Sequence, residues 1–597
     1  MTKTAKYQNF EELSSPDQGP KRLTALRKEL KAQGLAGFII PRTDMYQGEN
    51  VAPADERLAW LTGFTGSAGF CVALMKTAGV FIDGRYRVQV KNQINKVFTP
   101  VNWPESSLAV WLSKNLSRGE SIGFDPWLHT VSEIEKAQSD LTNLGISLQP
   151  IANPIDKIWK DRPGNPSSKA CVYDEKYSGQ SHIEKRTILA KQLKRNKHSA
   201  VVITLPENIA WLLNIRGSDV AHVPIIHCVG ILHDDASIDL FVDRGKVVDI
   251  LPHLGKAVRC RELEYFAEDL KKLSGTVQID PENLPFAALN ILKKAKIDYQ
   301  YSDDLIALPK ARKNAVEISQ AKNANLRDST AMCEFLCWLD YQNIGKLTEI
   351  DVAISLERFR LENSELLEIS FDTISASGPN AALPHYRVTQ SSDRILKQGE
   401  VMLVDSGGQY LDGTTDITRT IAIGVQKHYV CAAFTRVLKG LIAVSRLTFP
   451  RGITGRDIDA FARAPLWEAG QDFAHGTGHG VGHFLTVHEG PQGISSKSTI
   501  PFEAGMIVSN EPGYYLEGEF GIRTENLLVV TSAPDGNFLH FQTLNFVPID
   551  KKMIVNNMLT QEELAWLNDY HQKCHDKLID RLSPAASRWI KQVTAPL

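Results

Sequence analysis

The sequence lacks the features that mark a membrane, secreted or nucleic-acid-binding protein. No run approaches the ~18 consecutive apolar residues that cross a bilayer. The start, Met1–Lys6, has no apolar signal-peptide core behind it. The formal net charge is only −2 over 597 residues, and acidic and basic residues are interspersed rather than blocked. We therefore expect a cytoplasmic protein with neither a nucleic-acid nor a membrane partner.

Cysteine is scarce and follows no framework spacing. The eight cysteines are scattered between Cys71 and Cys574, which argues against a disulfide scaffold and fits reduced thiols. Cys333 and Cys337 lie four residues apart on a predicted helix, as a pair of metal ligands could. Their neighbours are apolar, so core packing is the simpler interpretation of this pair.

The length and composition indicate several globular domains, and an internal repeat divides the first half of the chain. A chain of 597 residues with 43% apolar and 23% charged residues corresponds to three or four ordinary domains. Three apolar segments recur with similar sequences: 38–40 at 201–203, 59–61 at 210–212, and 80–83 at 240–243. We interpret the repeat as two α/β domains of one fold.

The predicted domains cover the whole chain. The first extends over 1–163 and the second over 164–308, joined by a proline- and glycine-containing linker. The third domain, 309–597, begins with a long predicted helix over 314–338. From about residue 553 a helical extension follows, in which Thr560 and Glu563 form a capping-box pattern.

Five polar residues of the third domain lie on or beside segments whose patterns predict buried strands. One carboxylate ends the apolar run 401–404, and another is predicted in an alternating strand eleven residues later. The imidazole lies in a segment rich in glycine and histidine. The five residues are Asp405, Asp416, His479, Glu511 and Glu525.

Four buried carboxylates are costly unless they are paired or bind cations. Their charge of about −4 is nearly cancelled by two divalent ions and a bridging hydroxide, about +3. Oxygen-rich ligation with a single imidazole favours Mn²⁺, Co²⁺ or Fe²⁺-like ions over a thiolate zinc site. Each acid taken singly is more simply a turn cap, but their order and spacing together predict a two-metal site.

The motifs around these residues resemble those of the aminopeptidase P family, the Xaa-Pro aminopeptidases, in its three-domain form. The resemblance extends over nearly the whole chain. It implies two related N-terminal α/β domains followed by a C-terminal pita-bread catalytic domain with a curved antiparallel sheet. The matching segments are DGRY at 83–86, 157–163, 215–222, DSGGQYLDGTTDITRT at 405–420, HGTGHGVGHF at 475–484, VHEGP at 487–491, NEPGYY at 510–515 and GIRTEN at 521–526.

The resemblance implies a metal-dependent aminopeptidase that releases the N-terminal residue from peptides with proline in the second position. The peptide carbonyl would be attacked by a metal-bridging hydroxide. Two divalent ions per subunit, Mn²⁺ with Co²⁺ or Zn²⁺ as alternatives, would be held by the five residues. Asp416 and Glu525 would bridge them. The expected partners are peptide substrates with a penultimate proline and a second copy of the chain, in a homodimer.

The resemblance also implies roles for residues around the metals. Catalytic roles fall to Glu511 as general base and acid, and to His385 and His488 as substrate and oxyanion contacts. Arg523 is expected to hold a ligating carboxylate at the substrate site. The other implied substrate-binding residues are Arg85, His475 and Phe371. For the histidines and Phe371, the competing interpretation is packing in the core or in a loop. For Arg85, it is an arginine at the surface.

His483 and Asp412 also lie near the predicted site, and two other functions compete with the one implied above. His483 stands where the family pattern has a small residue, and packing is the simpler interpretation. Asp412 is interpreted as a turn residue. A prolidase-type Xaa-Pro dipeptidase is the main alternative activity, although prolidases usually carry a single N-terminal domain. A non-catalytic pita-bread binding module is disfavoured because all five ligand positions are filled.

Overall fold

The computed structural model describes residues 4–363, 365–534 and 536–597. The chain divides into two compact units. The N-terminal unit is Leu13–Ala307, and the C-terminal unit is Leu308–Leu597 together with the segment that ends at Glu12. Within the described ranges, no helix is both long enough and apolar enough to cross a membrane.

A six-stranded mixed sheet forms the centre of the first domain. Its strands are β1 (Gly37–Pro41), β2 (Phe70–Leu74), β3 (Ala78–Ile82), β4 (Thr99–Asn102), β5 (Ser121–Phe124) and β6 (Ser147–Pro150). The strand order is β4-β3-β2-β1-β5-β6. Strand β2 is antiparallel to both neighbours, whereas the β3–β4, β1–β5 and β5–β6 pairs are parallel.

The second domain repeats this topology. Its strands are β7 (Cys171–Val172), β8 (Ala200–Ile203), β9 (Ile215–Arg216), β10 (Val229–His233), β11 (Ile238–Phe241), β12 (Val258–Arg261), β13 (Val277–Ile279) and β14 (Tyr299–Tyr301). The sheet order is β12-β11-β10-β8-β13-β14, and only β10 is antiparallel to its neighbours. Strands β7 and β9 form a separate pair. The prediction of two related α/β domains is confirmed, while their limits of 1–163 and 164–308 stay a prediction.

Helices cover both sheets of the N-terminal unit. Those of the first domain are α1 (Gly19–Ala32), α2 (Arg57–Thr62), α3 (Gln89–Gln93), α4 (Leu108–Asn115), α5 (Val131–Thr142) and α6 (Pro154–Ile158). Those of the second are α7 (Glu175–Ser178), α8 (His182–Arg195), α9 (Pro206–Leu213), α10 (Leu251–Leu254), α11 (Phe266–Leu270) and α12 (Phe286–Ala295). One buried apolar cluster continues from one domain into the other, with the rings of Phe124 and Phe286 5.8 Å apart.

The C-terminal unit combines long helices with short antiparallel strands. Its helices are α13 (Ala307–Ala311), α14 (Ala315–Asp340), α15 (Glu349–Asn363), α16 (His428–Ser445), α17 (Gly455–Trp467), α18 (Gln561–Leu578) and α19 (Pro584–Val593). The first half of its strands are β15 (Glu368–Ile369), β16 (Ile374–Ser377), β17 (Glu400–Ser406), β18 (Gly408–Tyr410), β19 (Gly413–Thr414), β20 (Ile417–Ile423) and β21 (Thr448–Pro450). The second half are β22 (Gly478–His479), β23 (Gly493–Ile494), β24 (Ile507–Asn510), β25 (Gly513–Leu516), β26 (Phe520–Arg523), β27 (Asn526–Ser532) and β28 (Phe538–Thr543).

The strands of this unit form the pita-bread arrangement expected from the sequence. The main sheets have the orders β16-β17-β20 and β21-β28-β27-β24, and every pair in them is antiparallel. Asp405 pairs in register with Thr418 across β17 and β20. The backbone N–H of Glu525 donates to the carbonyl of Thr418 over 3.2 Å, which joins the turn before β27 to β20.

Local sequence signals explain where the longest helices begin. Asn314 caps α14 and forms a capping box with Glu317, so the helix predicted over 314–338 is observed at Ala315–Asp340. Cys333 and Cys337 are buried in its apolar cluster, which confirms the packing interpretation. Thr560 caps α18 by the predicted capping box.

The helical extension packs on the catalytic domain. Leu567, Leu578 and Trp589 are buried among apolar residues contributed by α14 and α16. Tyr570 of α18 is buried as well and bonds the backbone of Val547. The extension therefore contributes to the core of the C-terminal unit.

Candidate metal centre

The five predicted ligand residues lie at strand ends of the C-terminal unit. Asp405 lies in β17, and His479 ends the short strand β22. Asp416 immediately precedes β20, one residue outside the strand in which it was predicted. Glu511 follows β24, and Glu525 lies in the two-residue connection between β26 and β27. The sheet order brings these ends to one place.

Three of the five side chains lie close enough to share one ion. Ligand atoms of Asp416, His479 and Glu525 are all within 4.8 Å of one another. The Nε2 atom of His479 is 3.4 Å from a carboxylate oxygen of Asp416 and 3.3 Å from one of Glu511. Three of the predicted carboxylate ligands, Asp416, Glu511 and Glu525, are thus grouped near the imidazole of His479.

The orientation of His479 is set by the backbone around it. Its Nδ1 lies 3.0 Å from the carbonyl oxygen of Gly480, so the Nδ1–H donates to that carbonyl and Nε2 faces the acids. The backbone N–H of His479 donates to Ser509 Oγ, whose hydroxyl donates to Glu511 Oε1 over 3.0 Å. Ser509 thereby links the imidazole segment to the glutamate.

Asp405 joins the group through an arginine. The guanidinium of Arg523 donates to Asp405 Oδ2 over 2.6 Å, which is the contact expected for Arg523. A second guanidinium nitrogen donates to the hydroxyl of Tyr515 over 2.6 Å, and that hydroxyl lies 2.8 Å from His475 Nε2. His475, predicted to be a substrate contact, therefore bonds Tyr515 within this network.

Burial and mutual repulsion shift the pKa values of Asp405, Glu511 and Glu525 upward. Burial raises the pKa of Asp405 to about 6, although the neighbouring Arg523 opposes the shift. Burial also raises the pKa of Glu511, and burial together with the other carboxylates raises the pKa of Glu525 well above its usual range. Burial alone would lower the pKa of His479, but Asp416 and Glu511 raise it to about 9. The charged forms of these acids are therefore costly in this buried place unless a further cation stabilises them.

The donor set fits divalent ions. Asp405 Oδ1, Asp416 Oδ1 and Glu525 Oε1 are buried oxygens with no hydrogen-bond partner among the described residues. Buried carboxylate oxygens without donors are costly, and a cation removes that cost. Thr418 donates to the other oxygen of Glu525 over 2.8 Å, which orients the carboxylate. The same residues that the sequence predicted as ligands therefore present open lone pairs to one another.

The remaining predicted residues differ in how the structure places them. The ring of His488 lies edge-on to that of His479, with centroids 4.4 Å apart. Phe371 and His385 are half-buried and lie on either side of β16 along the chain. Arg85 lies in the N-terminal unit, where its guanidinium bonds both oxygens of Asp83.

The two neighbouring residues behave as structural elements. His483 is 3% exposed, consistent with packing. Asp412 lies in the turn between β18 and β19, as predicted, and pairs with Arg327. The turn is thereby tied to α14.

Sequence reasoning missed Arg419, which holds the backbone behind the cluster. Arg419 is 2% exposed and donates to the carbonyl oxygens of Thr418, Glu525 and Val547. It also bonds the hydroxyl of Tyr570 over 2.8 Å. An arginine inside a strand of otherwise apolar and threonine residues was the available signal, because such a charge is buried only where many acceptors meet it.

Comparison with protein families defines the class. The sequence model of metallopeptidase family M24 matches residues 319–532, and that of the C-terminal region of this peptidase matches 537–597. The Creatinase/Prolidase N-terminal domain matches twice, at 22–158 and 161–317. These matches describe a metallopeptidase preceded by two creatinase-type domains.

Relatives over the whole length narrow the assignment. The chain is 38% identical over 599 residues to "Probable Xaa-Pro aminopeptidase P" of Laccaria bicolor, covering 96% of this chain and 93% of that protein. It is 35% identical over 640 residues to "Aminopeptidase P1" of Arabidopsis thaliana, covering 96% and 99%. The chain therefore belongs to the Xaa-Pro aminopeptidases of metallopeptidase family M24.

Solved structures agree with this assignment. An X-prolyl aminopeptidase from Caenorhabditis elegans, described as a cytosolic enzyme with a di-nuclear active site, superimposes with a TM-score of 0.92 at 33% identity, covering 97% of this chain and 100% of that one. A prolidase from Thermococcus sibiricus has a TM-score of 0.51 at 22% identity over 62% of this chain and 98% of that one, which shows a shared fold only.

Proposed function

We propose that this chain is a metal-dependent aminopeptidase that releases the N-terminal residue from peptides with proline in the second position. The observation that supports it most directly is that Asp416, His479 and Glu525 offer ligand atoms within 4.8 Å of one another. Asp405, Asp416 and Glu525 each also have a buried carboxylate oxygen with no hydrogen-bond partner among the described residues. The relatives that cover nearly the whole chain carry names of Xaa-Pro aminopeptidases.

The ligands would be Asp405, Asp416, His479, Glu511 and Glu525, with Asp416 and Glu525 shared between two ions. Two divalent ions, when bound, supply Lewis-acid polarisation of the scissile carbonyl and a water of lowered pKa. We propose Mn²⁺ as the native ion because the donors are oxygen-rich with one imidazole. Thiolate zinc ligation is disfavoured, since no cysteine is among the ligands.

Glu511 is proposed to move the proton. Its carboxylate is 17% exposed, the most open of the acids paired with His479, and Ser509 Oγ holds one of its oxygens. The carboxylate is therefore oriented while its other oxygen can take a proton from water and pass it to the leaving proline nitrogen. That nitrogen needs a proton because it leaves as a secondary amine.

Histidines and an arginine are proposed to bind the substrate. His488, against the ring of His479, and His385 would donate hydrogen bonds to the oxyanion and the peptide. His475 and Phe371 would line the pocket, with Arg523 holding Asp405 in place. A site adapted to proline is useful because an Xaa-Pro bond has no N–H and restricts the preceding residue.

We also propose a cytoplasmic location and a homodimer. The location is supported by the description of the C. elegans relative as a cytosolic enzyme. The dimer is supported by analogy with the family alone.

A prolidase-type dipeptidase is the competing function, and a substrate comparison separates the two. Metal-stripped protein is reloaded with Mn²⁺, Co²⁺ or Zn²⁺ and assayed on Xaa-Pro and Xaa-Pro-Xaa peptides of the same first residue. The aminopeptidase should release the first residue from the tripeptide with a higher kcat/KM than from the dipeptide. Cleavage of the dipeptide alone would establish a prolidase, and cleavage of neither would contradict both functions.

A further inference from the structure

A buried ion cluster lies next to the loop that holds the two histidines of the metal centre. Glu489 is 2% exposed and forms an ion pair with Lys313, whose side chain is 1% exposed. The amine of Lys310 lies 3.6 Å from the other carboxylate oxygen. Two buried cations thus share a single buried acid, and the cluster contains no predicted ligand.

The backbone of Glu489 reaches the imidazole ligand through one carbonyl group. The N–H of Glu489 donates to the carbonyl oxygen of Gly480 over 2.8 Å. The same oxygen lies 3.0 Å from Nδ1 of His479. Gly480 therefore accepts from both residues, and its position decides where the Nε2 atom of His479 points.

The chain segments around the Gly480 carbonyl are closely packed. A Cβ added to Gly480 would lie 1.9 Å from the carbonyl oxygen of Glu489, so only glycine allows the two segments to approach this closely. The loop closes by a further bond from the N–H of Gly480 to the carbonyl of Gln492 over 3.1 Å. A displacement of Glu489 would therefore move Gly480 with it.

The lysine end of the cluster is equally fixed. The N–H of Lys313 donates to the carbonyl of Gly505 over 3.1 Å, in the turn that leads into β24. Strand β24 carries Ser509 and is followed by Glu511. The Lys313–Glu489 ion pair therefore connects the loop of His479 and His488 to strand β24, which places Glu511.

We propose that Glu489, held by Lys313 and Lys310, is a positioning residue for the imidazole ligand His479. Its carboxylate anchors the loop, and its backbone N–H holds the Gly480 carbonyl that keeps the His479 proton on Nδ1. The lone pair of Nε2 is thereby kept directed at the ions. The proposal rests on the proposed function, because it assigns a role in holding the metals.

The test compares metal binding in matched variants. Metal-free wild type, Glu489→Gln and Lys313→Arg are titrated with Mn²⁺ by calorimetry, and Co²⁺ absorption spectra report the ligand geometry. Glu489→Gln should weaken Mn²⁺ affinity about 10- to 100-fold and alter the Co²⁺ spectrum, as loss of a partner behind a metal ligand does. Lys313→Arg keeps the ion pair and should bind Mn²⁺ more tightly than Glu489→Gln does.

The controls separate positioning from folding and from the proposed function. Lys439→Met breaks the Lys439–Glu563 pair between α16 and α18, and should leave Mn²⁺ affinity unchanged. Circular dichroism confirms folding, and Glu489→Asp, which keeps the charge but shortens the side chain, replaces the Gln variant if that one does not fold. Wild-type affinity and spectrum in the folded Glu489 variant would overturn the positioning role. A wild type that binds no ions would instead contradict the proposed function.

Discussion

Buried charge is handled differently in the N-terminal unit and at the metal centre of the C-terminal unit. In the N-terminal unit, Lys246 pairs with Asp219, and Arg57 bonds both Asp55 and Asp156. In the C-terminal unit, the carboxylates at the metal centre face one another, and only Arg523 among the described residues forms a guanidinium pair with them, at Asp405. Paired charges stabilise a scaffold, whereas unneutralised acids of one sign indicate a place for cations.

Two histidines of the C-terminal unit show a similar contrast between a functional and a structural environment. The neighbouring acids raise the pKa of His479 to about 9, whereas burial lowers the pKa of His571 to about 3. The Nε2 atom of His571 accepts a hydrogen bond from the N–H of Ile549 over 3.1 Å, a structural use of a neutral ring. A histidine turned towards acids and one turned towards a backbone donor therefore have different roles.

Removing a shared carboxylate should have the largest effect. Glu525→Gln and Asp416→Asn should each lower kcat by about four orders of magnitude or more, because each acid is proposed to serve both ions. The paired acid Asp219 provides the control: Asp219→Asn should lose about 3–5 kcal/mol of stability but keep its metal. Kinetics, metal content and urea unfolding measure the three properties. Full activity in Glu525→Gln or Asp416→Asn would contradict the proposed difference between the acids of the metal centre and the paired acid Asp219.

Histidines at the centre should come next. His488→Ala and His385→Ala should each reduce kcat/KM about 10²- to 10³-fold, the scale of a lost oxyanion contact, with metal content unchanged. His540 of β28, which bonds Thr531 of β27, is the matched control and should tolerate alanine. Steady-state kinetics on an Xaa-Pro-Xaa peptide distinguish these outcomes, and wild-type turnover in a variant would refute the assignment of that histidine.

A smaller effect is expected at Arg85 in the N-terminal unit. Arg85→Ala should raise KM about tenfold for longer peptides and less for tripeptides, because the loss of one charged hydrogen bond is worth about 1.5–3 kcal/mol at most. The exposed neighbour Arg87, paired with Glu105, is the control. Equal losses on peptides of every length would show that Arg85 does not contact the substrate.

The smallest effect concerns the response of stability to acid. Because the pKa of His571 is lowered to about 3 by burial, the folded state binds fewer protons than the unfolded state between that value and the ordinary 6.5. This contribution is present above pH 6.5 and is lost as the pH falls through that window. His571→Gln should flatten the decline of the urea midpoint between about pH 7 and 5. An unchanged slope would contradict the neutral buried ring.

Short-range patterns predicted much of the fold and the ligand set. The capping box at Thr560 predicted the start of α18, the apolar pattern over 314–338 predicted α14, and the repeat predicted two related sheets. The placement of Asp416 in a strand was wrong by one residue, because Asp416 lies in the two-residue connection between β19 and β20. Alternation cannot resolve a boundary set by tertiary contact.

Contacts between distant residues were beyond such patterns. Arg523 and Asp405 are 118 residues apart, and the sequence predicted that Arg523 holds a ligating carboxylate without identifying Asp405 as that carboxylate. Lys313 and Glu489 are separated by 176 residues, and neither has a local signal that names the other. Their pairing depends on how the segment before α14 meets the loop between β22 and β23, which hydrophobic periodicity does not encode.

Metal stoichiometry tests the central claim most directly. The purified chain is stripped with a chelator and titrated with Mn²⁺, and bound ions per chain are counted while release of the residue before proline is assayed. The account predicts two ions per chain in the wild type, loss of activity on stripping and recovery on reloading. Full activity in a metal-free preparation would contradict it.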